Sequence, residues 1–154
     1  MVIREMTSKD IDSVLDMMRI FYNSPAVLHK ASDDILKKDI EDCISDLPFI
    51  EGYIIEHNDE IAGYSMLAKS YSTEYAGICI WIEDLYIKPE YRSLGLGTQF
   101  FEFVNNKYDS SSAAAAAAAV RFRLEVEPSN KQAIHIYKKC GYNELPYIEM
   151  TKEL

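Results

Sequence analysis

The N-terminal third of the chain shows a helical spacing of apolar residues. Between positions 11 and 22 they recur every three or four residues, which predicts one face of a helix, and Thr7 stands at a suitable N-cap position. Ser32 and the acidic residues after it predict the start of a second helix, with apolar positions between 35 and 44. Residues 2–5 are predicted to form a short strand before both helices.

The period then changes from helix to strand. Segments 49–56 and 60–71 flank a short polar turn, which predicts a hairpin. Residues 78–87 are rich in β-branched and aromatic side chains and predict a long strand, which Pro89 ends.

Helix and strand alternate again in the rest of the chain. A helix is predicted over 95–107, a strand over 120–127, and a second helix from Pro128 onward, with Gly141 just after its last turn. The tail, residues 147–154, can supply a final strand. The order β-α-α-β-β-β-α-β-α-β predicts a mixed α/β sheet in one layered domain that spans residues 1–154.

The segment "SSSAAAAAAA", residues 110–119, has neither periodicity nor punctuation. Alanine favours helix, so extension of the preceding helix is one interpretation. The other is that these letters stand for residues whose side chains were never identified. We assign no function to this segment.

Composition limits the classes of protein that remain. Hydrophobic residues make up 48% of the 154 residues, enough for a core, and no apolar run approaches the roughly 20 residues that span a bilayer. The N-terminus lacks the apolar stretch of a signal peptide. The widely spaced Cys43, Cys79 and Cys140 suit neither a zinc site nor a disulfide framework. We therefore expect a cytoplasmic protein with reduced thiols and no metal.

The net charge of −9 makes binding to nucleic acid improbable, because phosphate contacts need a basic surface. A negative field attracts cations instead, including amines, although solubility alone would also account for the charge.

Gly95 and Gly97 lie at the predicted junction of a turn and a helix, shortly after Arg92. Unpaired N–H groups at a helix start attract anions, and glycine allows the backbone to approach a phosphate closely. The dinucleotide fingerprint would need glycine at Phe100, and the ATP-binding loop would need a lysine that "GLGTQ" lacks. A different phosphate compound is therefore indicated.

Two longer stretches carry a family resemblance. "WIEDLYIKPEYRSLGLGTQFFEFV" (81–104) resembles motif A of the GNAT superfamily of acetyl-CoA-dependent N-acetyltransferases, and "VEPSNKQAIHIYKKCGY" (126–142) resembles its motif B. The order of predicted elements is similar to that of the family. The resemblance implies a mostly antiparallel sheet flanked by helices, and acetyl-CoA as the cosubstrate.

The resemblance also implies where acetyl-CoA binds. The backbone of Leu85, Tyr86 and Ile87 would pair with the pantetheine arm, and Asn130 would bond near its amides. The pyrophosphate would be wrapped by Arg92, Ser93, Leu94, Gly95, Leu96, Gly97 and Thr98. Ser93 stands where many members of the family have glycine. We expect little effect on pyrophosphate binding, because serine keeps its own N–H.

The reaction needs a neutral amine and a protonated leaving group. Glu83 is predicted to act as the base through water, with Asp84 holding the cationic amine. Adjacent residues of a regular strand point to opposite faces, and a β-bulge here, which is typical of the family, would change the direction of these two side chains. Either carboxylate could instead lie in solvent at the end of the strand. Tyr137 occupies the general-acid position of the family, and a backbone N–H near Leu85 could bond the thioester oxygen.

Residues 63–87 resemble the spermidine/spermine and thialysine branch of the superfamily. We expect a small cationic amine, such as a polyamine or an amino-acid analogue, and acids near the N-terminal helices agree with this: Asp33, Asp34, Asp39, Glu41 and Asp42. An antibiotic or protein-amine acetyltransferase, and a non-catalytic acyl-CoA-binding module, are the alternatives. A homodimer is also expected, with the tail strand pairing across its interface.

Overall fold

A five-stranded sheet with helices on both faces forms the protein in the computed structural model, which describes residues 1–109 and 118–153. The elements are β1 (Val2–Glu5), α1 (Ile11–Tyr22), α2 (Asp33–Ile44), β2 (Ile50–His57), β3 (Glu60–Ser72), β4 (Gly77–Ile87), α3 (Leu96–Tyr108), β5 (Ala119–Leu124) and α4 (Lys131–Lys139). The strands lie side by side in chain order, antiparallel except for the parallel pair of β4 and β5. The predicted class, a mixed and mostly antiparallel α/β sheet, is confirmed.

The sheet separates two clusters of buried side chains. Helices α1 and α2 pack on one face, where Met18, Leu36 and Tyr64 are buried. Helix α3 packs on the other face with Phe100 and Phe101, and α4 adds partly buried side chains to that cluster. The predicted hairpin of β2 and β3 closes through Asn58 and Asp59, which both have positive φ, as the favoured two-residue hairpin turn requires.

Two predictions about the C-terminal part are wrong. The tail forms no strand over residues 147–153, because alternation makes a strand only where one face is buried, and here Ile148 is 90% and Met150 91% exposed. Strand β5 ends at Leu124 rather than at Glu127, where β4 and β5 separate. The homodimer expected from the tail strand stays a prediction, and both interpretations of residues 110–119 fall mainly on 110–117, outside the described residues.

Candidate active site

A gap opens between the two parallel strands of the sheet. Their paired residues run from Ile78 with Ala119 to Ile82 with Leu124. Beyond that point β4 continues to Ile87, paired with β3 alone, so backbone groups on its other side have no strand partner. Two cavities lie at this gap, with volumes of about 750 and 930 Å³.

The smaller cavity, which we call the cofactor cavity, contains the predicted phosphate turn. All predicted cofactor-binding residues line it except Leu94, whose side chain is 50% exposed: Leu85, Tyr86, Ile87, Arg92, Ser93, Gly95, Leu96, Gly97, Thr98 and Asn130. The structure therefore brings together residues that lie up to 45 positions apart in the chain.

The turn before α3 has the features of an anion site. Gly95 is the N-cap of α3 with φ of +78°, and its carbonyl accepts the first helical bond from the Gln99 N–H at 3.0 Å. The N–H groups of the preceding helical residues thus have no acceptor within the helix. A Cβ built on Gly97 would meet no atom within 4 Å, so the space beside this glycine is open to a ligand.

Two residues of this turn, Arg92 and Ser93, affect its backbone conformation in different ways. The Arg92 Nε donates to the carbonyl of Ile87 at 3.0 Å, which ties the end of β4 to the turn. Ser93 has a φ of +63°, in the left-handed region where a non-glycine residue is strained by about 1–2 kcal/mol. The sequence-based expectation of little harm considered only the N–H group and missed this strain.

Helix α4 places Asn130 and Tyr137 on one side of the cofactor cavity. Asn130 is the N-cap, and its Oδ1 accepts the N–H of Ala133 at 3.2 Å, which leaves its amide NH₂ available to a ligand. Tyr137 follows seven residues later, almost two full turns, and so lies on the same face. Its ring packs edge-on against Phe101 at 5.5 Å, and burial raises the pKa of its phenol. Tyr137 is therefore protonated at neutral pH.

The larger cavity, which we call the acceptor cavity, lies between the end of α1, the strands β4 and β5, and the tail. It meets the cofactor cavity at a small set of shared residues, which includes Glu83, Glu125 and Tyr137. Two of the three candidate catalytic side chains, Glu83 and Tyr137, thus stand at the boundary between the two cavities, whereas Asp84 lines the acceptor cavity alone.

Glu83 is the extra residue of a β-bulge in β4, next to Asp84. Asp84 lies opposite Met66 and Ile82 lies opposite Leu67, so Glu83 is left without a partner in β3. The expected bulge is therefore present, and it leaves Glu83 exposed while Asp84 is only 4% exposed. Although solvent reaches Glu83, desolvation by the residues around its carboxylate and the nearby Glu149 carboxylate raise its pKa.

Asp84 is held by phenols from two other elements. Tyr64 donates to its Oδ2 at 2.9 Å and Tyr22 to its Oδ1 at 3.3 Å. Burial raises the pKa of Asp84 from 3.8 to about 6, although both phenols lower it. Since each carboxylate oxygen already accepts a hydrogen bond, Asp84 can offer its charge to a ligand in the acceptor cavity but has little surface for direct contact.

The raised pKa of Asp84 has a consequence for stability. The folded protein binds this proton more tightly than the unfolded chain, so the stability of the wild type falls as the pH rises through the window from about 4 to 6. Asp84→Asn has no charge to bury, so its free energy of unfolding at pH 8 should exceed that of the wild type by up to about 3 kcal/mol. Urea unfolding at pH 4 and pH 8 measures the difference, which should nearly vanish at pH 4. A variant less stable than the wild type at pH 8 would contradict this account.

Several residues of the site were not found from the sequence. Tyr22 and Tyr64 were interpreted only as apolar positions of a helix and a strand, and Trp81, Arg123 and Glu125 only as parts of strands. Tyr64 could have been found by pairing the hairpin with β4, whereas Tyr22 lies 62 residues from Asp84 without a local signal. The acids near the N-terminal helices, Asp33, Asp34, Asp39, Glu41 and Asp42, line neither cavity.

Within residues 1–109 and 118–153, no helix is both long and apolar enough to cross a membrane. The same residues contain no group of three or more histidine, cysteine, aspartate or glutamate side chains arranged to hold a metal ion.

A candidate anion site at a helix N-terminus and an acid-lined cavity, which meet at a carboxylate and a phenol, suit the transfer of an acyl group to an amine. The family model described as "Acetyltransferase (GNAT) family" matches residues 14–142, and the chain belongs to this family. It is an N-acetyltransferase, as predicted.

Individual relatives agree with this assignment. The chain is 29% identical to a thialysine N-epsilon-acetyltransferase of Sus scrofa over 96% of this chain and 87% of that protein. A possible acetyltransferase from Clostridium difficile 630 has a TM-score of 0.81 at 22% identity, with 99% of this chain and 97% of the other covered. AAC(6')-Iy, in complex with the bisubstrate analog CoA-S-monomethyl-acetylneamine, has a TM-score of 0.76 at 13% identity, with 99% and 97% covered. The predicted resemblance to the thialysine branch is thus confirmed.

Proposed function

We propose that the protein transfers the acetyl group of acetyl-CoA to a primary amine of a small cationic molecule, by direct attack of the neutral amine on the thioester. The observation that carries this proposal is the meeting of the two cavities at Glu83 and Tyr137. A cosubstrate in one cavity and an amine in the other would bring the reacting atoms to the residues that can move their protons.

The cofactor cavity fits acetyl-CoA. The open space beside Gly97 and the unpaired N–H groups of α3 suit the pyrophosphate. The backbone groups of β4 from Leu85 to Ile87 that face away from β3 suit the pantetheine arm, except the Ile87 carbonyl, which accepts from Arg92. The amide of Asn130 suits the same arm. That GNAT enzymes use acetyl-CoA, and that one structural neighbour holds a CoA analog, supports the same cosubstrate here.

The first chemical requirement is removal of a proton from the amine. An amine with a pKa near 10.4 is neutral in only about one part in 10³ at pH 7, a deficit of about 4–5 kcal/mol. Glu83 stands exposed at the boundary of the cavities, and its raised pKa brings the basicity of this carboxylate closer to neutral pH. It takes the proton through a water molecule in this proposal.

The second requirement is a proton for the departing sulfur. As the new N–C bond forms and the C–S bond breaks, the electron pair of that bond stays on sulfur. Tyr137 is protonated at neutral pH and lines both cavities, so its phenol donates the proton that converts the thiolate to a thiol. An N–H of the Leu85 region bonds the thioester oxygen.

The acceptor class follows from the charges of the acceptor cavity. Its walls carry Glu83, Asp84, Glu125, Glu127, Glu144 and Glu149. Only three lysine or arginine side chains are among the described residues that line it. A surplus of carboxylates favours a cationic molecule, and the names of the thialysine acetyltransferase relatives are consistent with this class.

An acetylation assay with a panel of amines tests this proposal. Acetyl-CoA is supplied with diamines, polyamines, basic amino acids, an aminoglycoside and a peptide amine, and release of free thiol is followed. Turnover with at least one small cationic amine is expected. Binding of CoA without turnover of any amine would favour a non-catalytic acyl-CoA-binding module instead.

Glu83→Gln should reduce turnover most strongly near neutral pH. The loss of turnover should become smaller as the pH approaches the pKa of the amine, because the amine is then already neutral in solution and needs no base. The pH profile of kcat/KM for the variant and the wild type measures this. Glu125→Gln is the matched variant, since Glu125 also lines both cavities, and interaction with Glu149 together with burial raises its pKa to about 7. A loss by the same factor at every pH would assign Glu83 a positioning role, and a larger pH-dependent loss in Glu125→Gln would make Glu125 the base.

A further inference from the structure

The residues that line both cavities divide into a polar and an apolar group. Glu83 and Tyr137, to which the proton transfers are assigned, belong to the polar group. The apolar group, which we call the boundary cluster, consists of Phe21, Ala26, Leu124 and Val126. The two proton transfers make no use of these hydrocarbon side chains. An apolar surface at the boundary of the cavities suits a hydrocarbon part of a substrate.

Phe21 is the largest member of the boundary cluster, and its neighbours fix its position. It lies in the last turn of α1, and its carbonyl accepts the N–H of Ser24 at 2.9 Å. Its ring packs edge-on against Tyr22, with 5.6 Å between the centroids, and lies 5.9 Å from the ring of Tyr86. Tyr86 is itself only 4% exposed. The ring of Phe21 therefore cannot move aside without losing aromatic contacts on two sides.

The acyl group is the part of the substrates that reaches this boundary. In the proposed reaction its carbonyl carbon lies between an amine in the acceptor cavity and a sulfur in the cofactor cavity, and therefore beside the residues that line both. The carboxylate and the phenol there serve the amine and the sulfur. The carbon chain of the acyl group is left to contact the boundary cluster. On the strand side, Leu124 is the last residue of β5 and pairs with Ile82, which closes the gap in the sheet at this end.

We propose that Phe21 sets the size of the acyl group, so that the protein transfers acetyl in preference to longer acyl groups. This assignment rests on the proposed function and concerns the acyl donor rather than the amine. The methyl of an acetyl group lies against the ring of Phe21. Each further methylene has to displace a ring that packs on Tyr22 and Tyr86, and well-packed apolar sites resist added volume.

Donors that differ only in the length of the acyl chain test the assignment. With one accepted amine, kcat/KM is measured for acetyl-, propionyl- and butyryl-CoA with the wild type, Phe21→Ala and Phe21→Leu. One methylene in a hydrophobic pocket is worth about 10- to 200-fold in kcat/KM, so the wild type should prefer acetyl to propionyl by about 10-fold or more. Phe21→Ala should lose most of this preference by gaining activity with the longer donors, and Phe21→Leu should lie between the two.

Calorimetry without an amine gives a second measurement. The wild type should bind butyryl-CoA more weakly than acetyl-CoA, and this difference in Kd should become smaller in Phe21→Ala. A cooperative unfolding transition shows that a variant is folded, and Phe21→Leu decides the question if Phe21→Ala does not fold.

Phe103→Ala is the matched control. Phe103 is also a half-buried helical residue that packs against two rings, those of Tyr53 and Phe100, but it lines neither cavity. This variant should keep the donor preference of the wild type. Equal use of the three donors by the wild type, an unchanged preference in the folded Phe21 variants, or the same loss of preference in Phe103→Ala would overturn the assignment of Phe21 and leave the proposed function standing. Failure of the wild type to acylate any amine with any of the donors would overturn both.

Discussion

Tyr137→Phe is expected to lower kcat by about 10²–10⁴-fold, the usual value of general acid catalysis. The substitution removes one hydroxyl and leaves the ring that packs against Phe101 at 5.5 Å. The turn before α3 is unchanged in this variant, so the affinity for CoA should change little. Steady-state kinetics with the best amine and calorimetry with CoA measure the two quantities separately.

Tyr142→Phe is the matched control for this variant. Its ring packs against the same Phe101, at 5.3 Å, and its buried hydroxyl has no hydrogen-bond partner in the described structure. Tyr142 contributes to the acceptor cavity but not to the cofactor cavity. We expect near-normal kcat from this variant. If Tyr137→Phe also kept near-normal turnover, the phenol would not be the acid.

Gly97→Glu should abolish binding of CoA without loss of stability. The new side chain enters open space, where a Cβ meets no atom within 4 Å, and glutamate in the first turn of α3 favours the helix. Its carboxylate would face the pyrophosphate. Two like charges about 4 Å apart near a protein surface repel by about 4 kcal/mol, which is about a thousandfold in Kd. Calorimetry with CoA and thermal unfolding measure the two effects.

Asn105→Glu supplies the control for added charge. It places the same carboxylate eight residues further along α3, on an exposed side chain that does not line the cofactor cavity. Its affinity for CoA should stay near that of the wild type. Tight CoA binding by Gly97→Glu would place the pyrophosphate elsewhere, and preference of the wild type for ATP or NAD over CoA would refute the cosubstrate.

The parts of the fold that the sequence predicted well are those decided by local chemistry. Asn58 and Asp59 adopt the positive φ values of a two-residue hairpin, Gly95 begins α3, and Gly141 follows α4 with φ of +89°. The residues that line the cofactor cavity were also predictable as a group, because the turn before α3 and the first residues of α4 are short, continuous motifs. Each requires only a few neighbouring residues to take one conformation.

The rest depends on contacts between distant segments. The tail alternates like a strand, but residues 147–153 pair with neither edge strand of the described sheet, β1 or β5. The pattern along one segment does not show whether a partner strand lies beside it. The environment of Asp84 depends on Tyr22, from a helix 62 residues away, so neither its burial nor its raised pKa could be read from the strand. Arg123 and Trp81 likewise meet only because β4 and β5 are parallel and in register.

Glu83 is the one residue of β4 that the pairing with β3 does not use. A gene that lost this single codon would encode a chain in which Asp84 still faces Met66 and Ile82 still faces Leu67. The other paired side chains of β4 would keep their side of the sheet. The pairing of β3 with β4 therefore does not require the bulge. On the proposed role of Glu83, a chain without this residue would keep the strand pairing and lose the carboxylate that is proposed to take the proton of the amine.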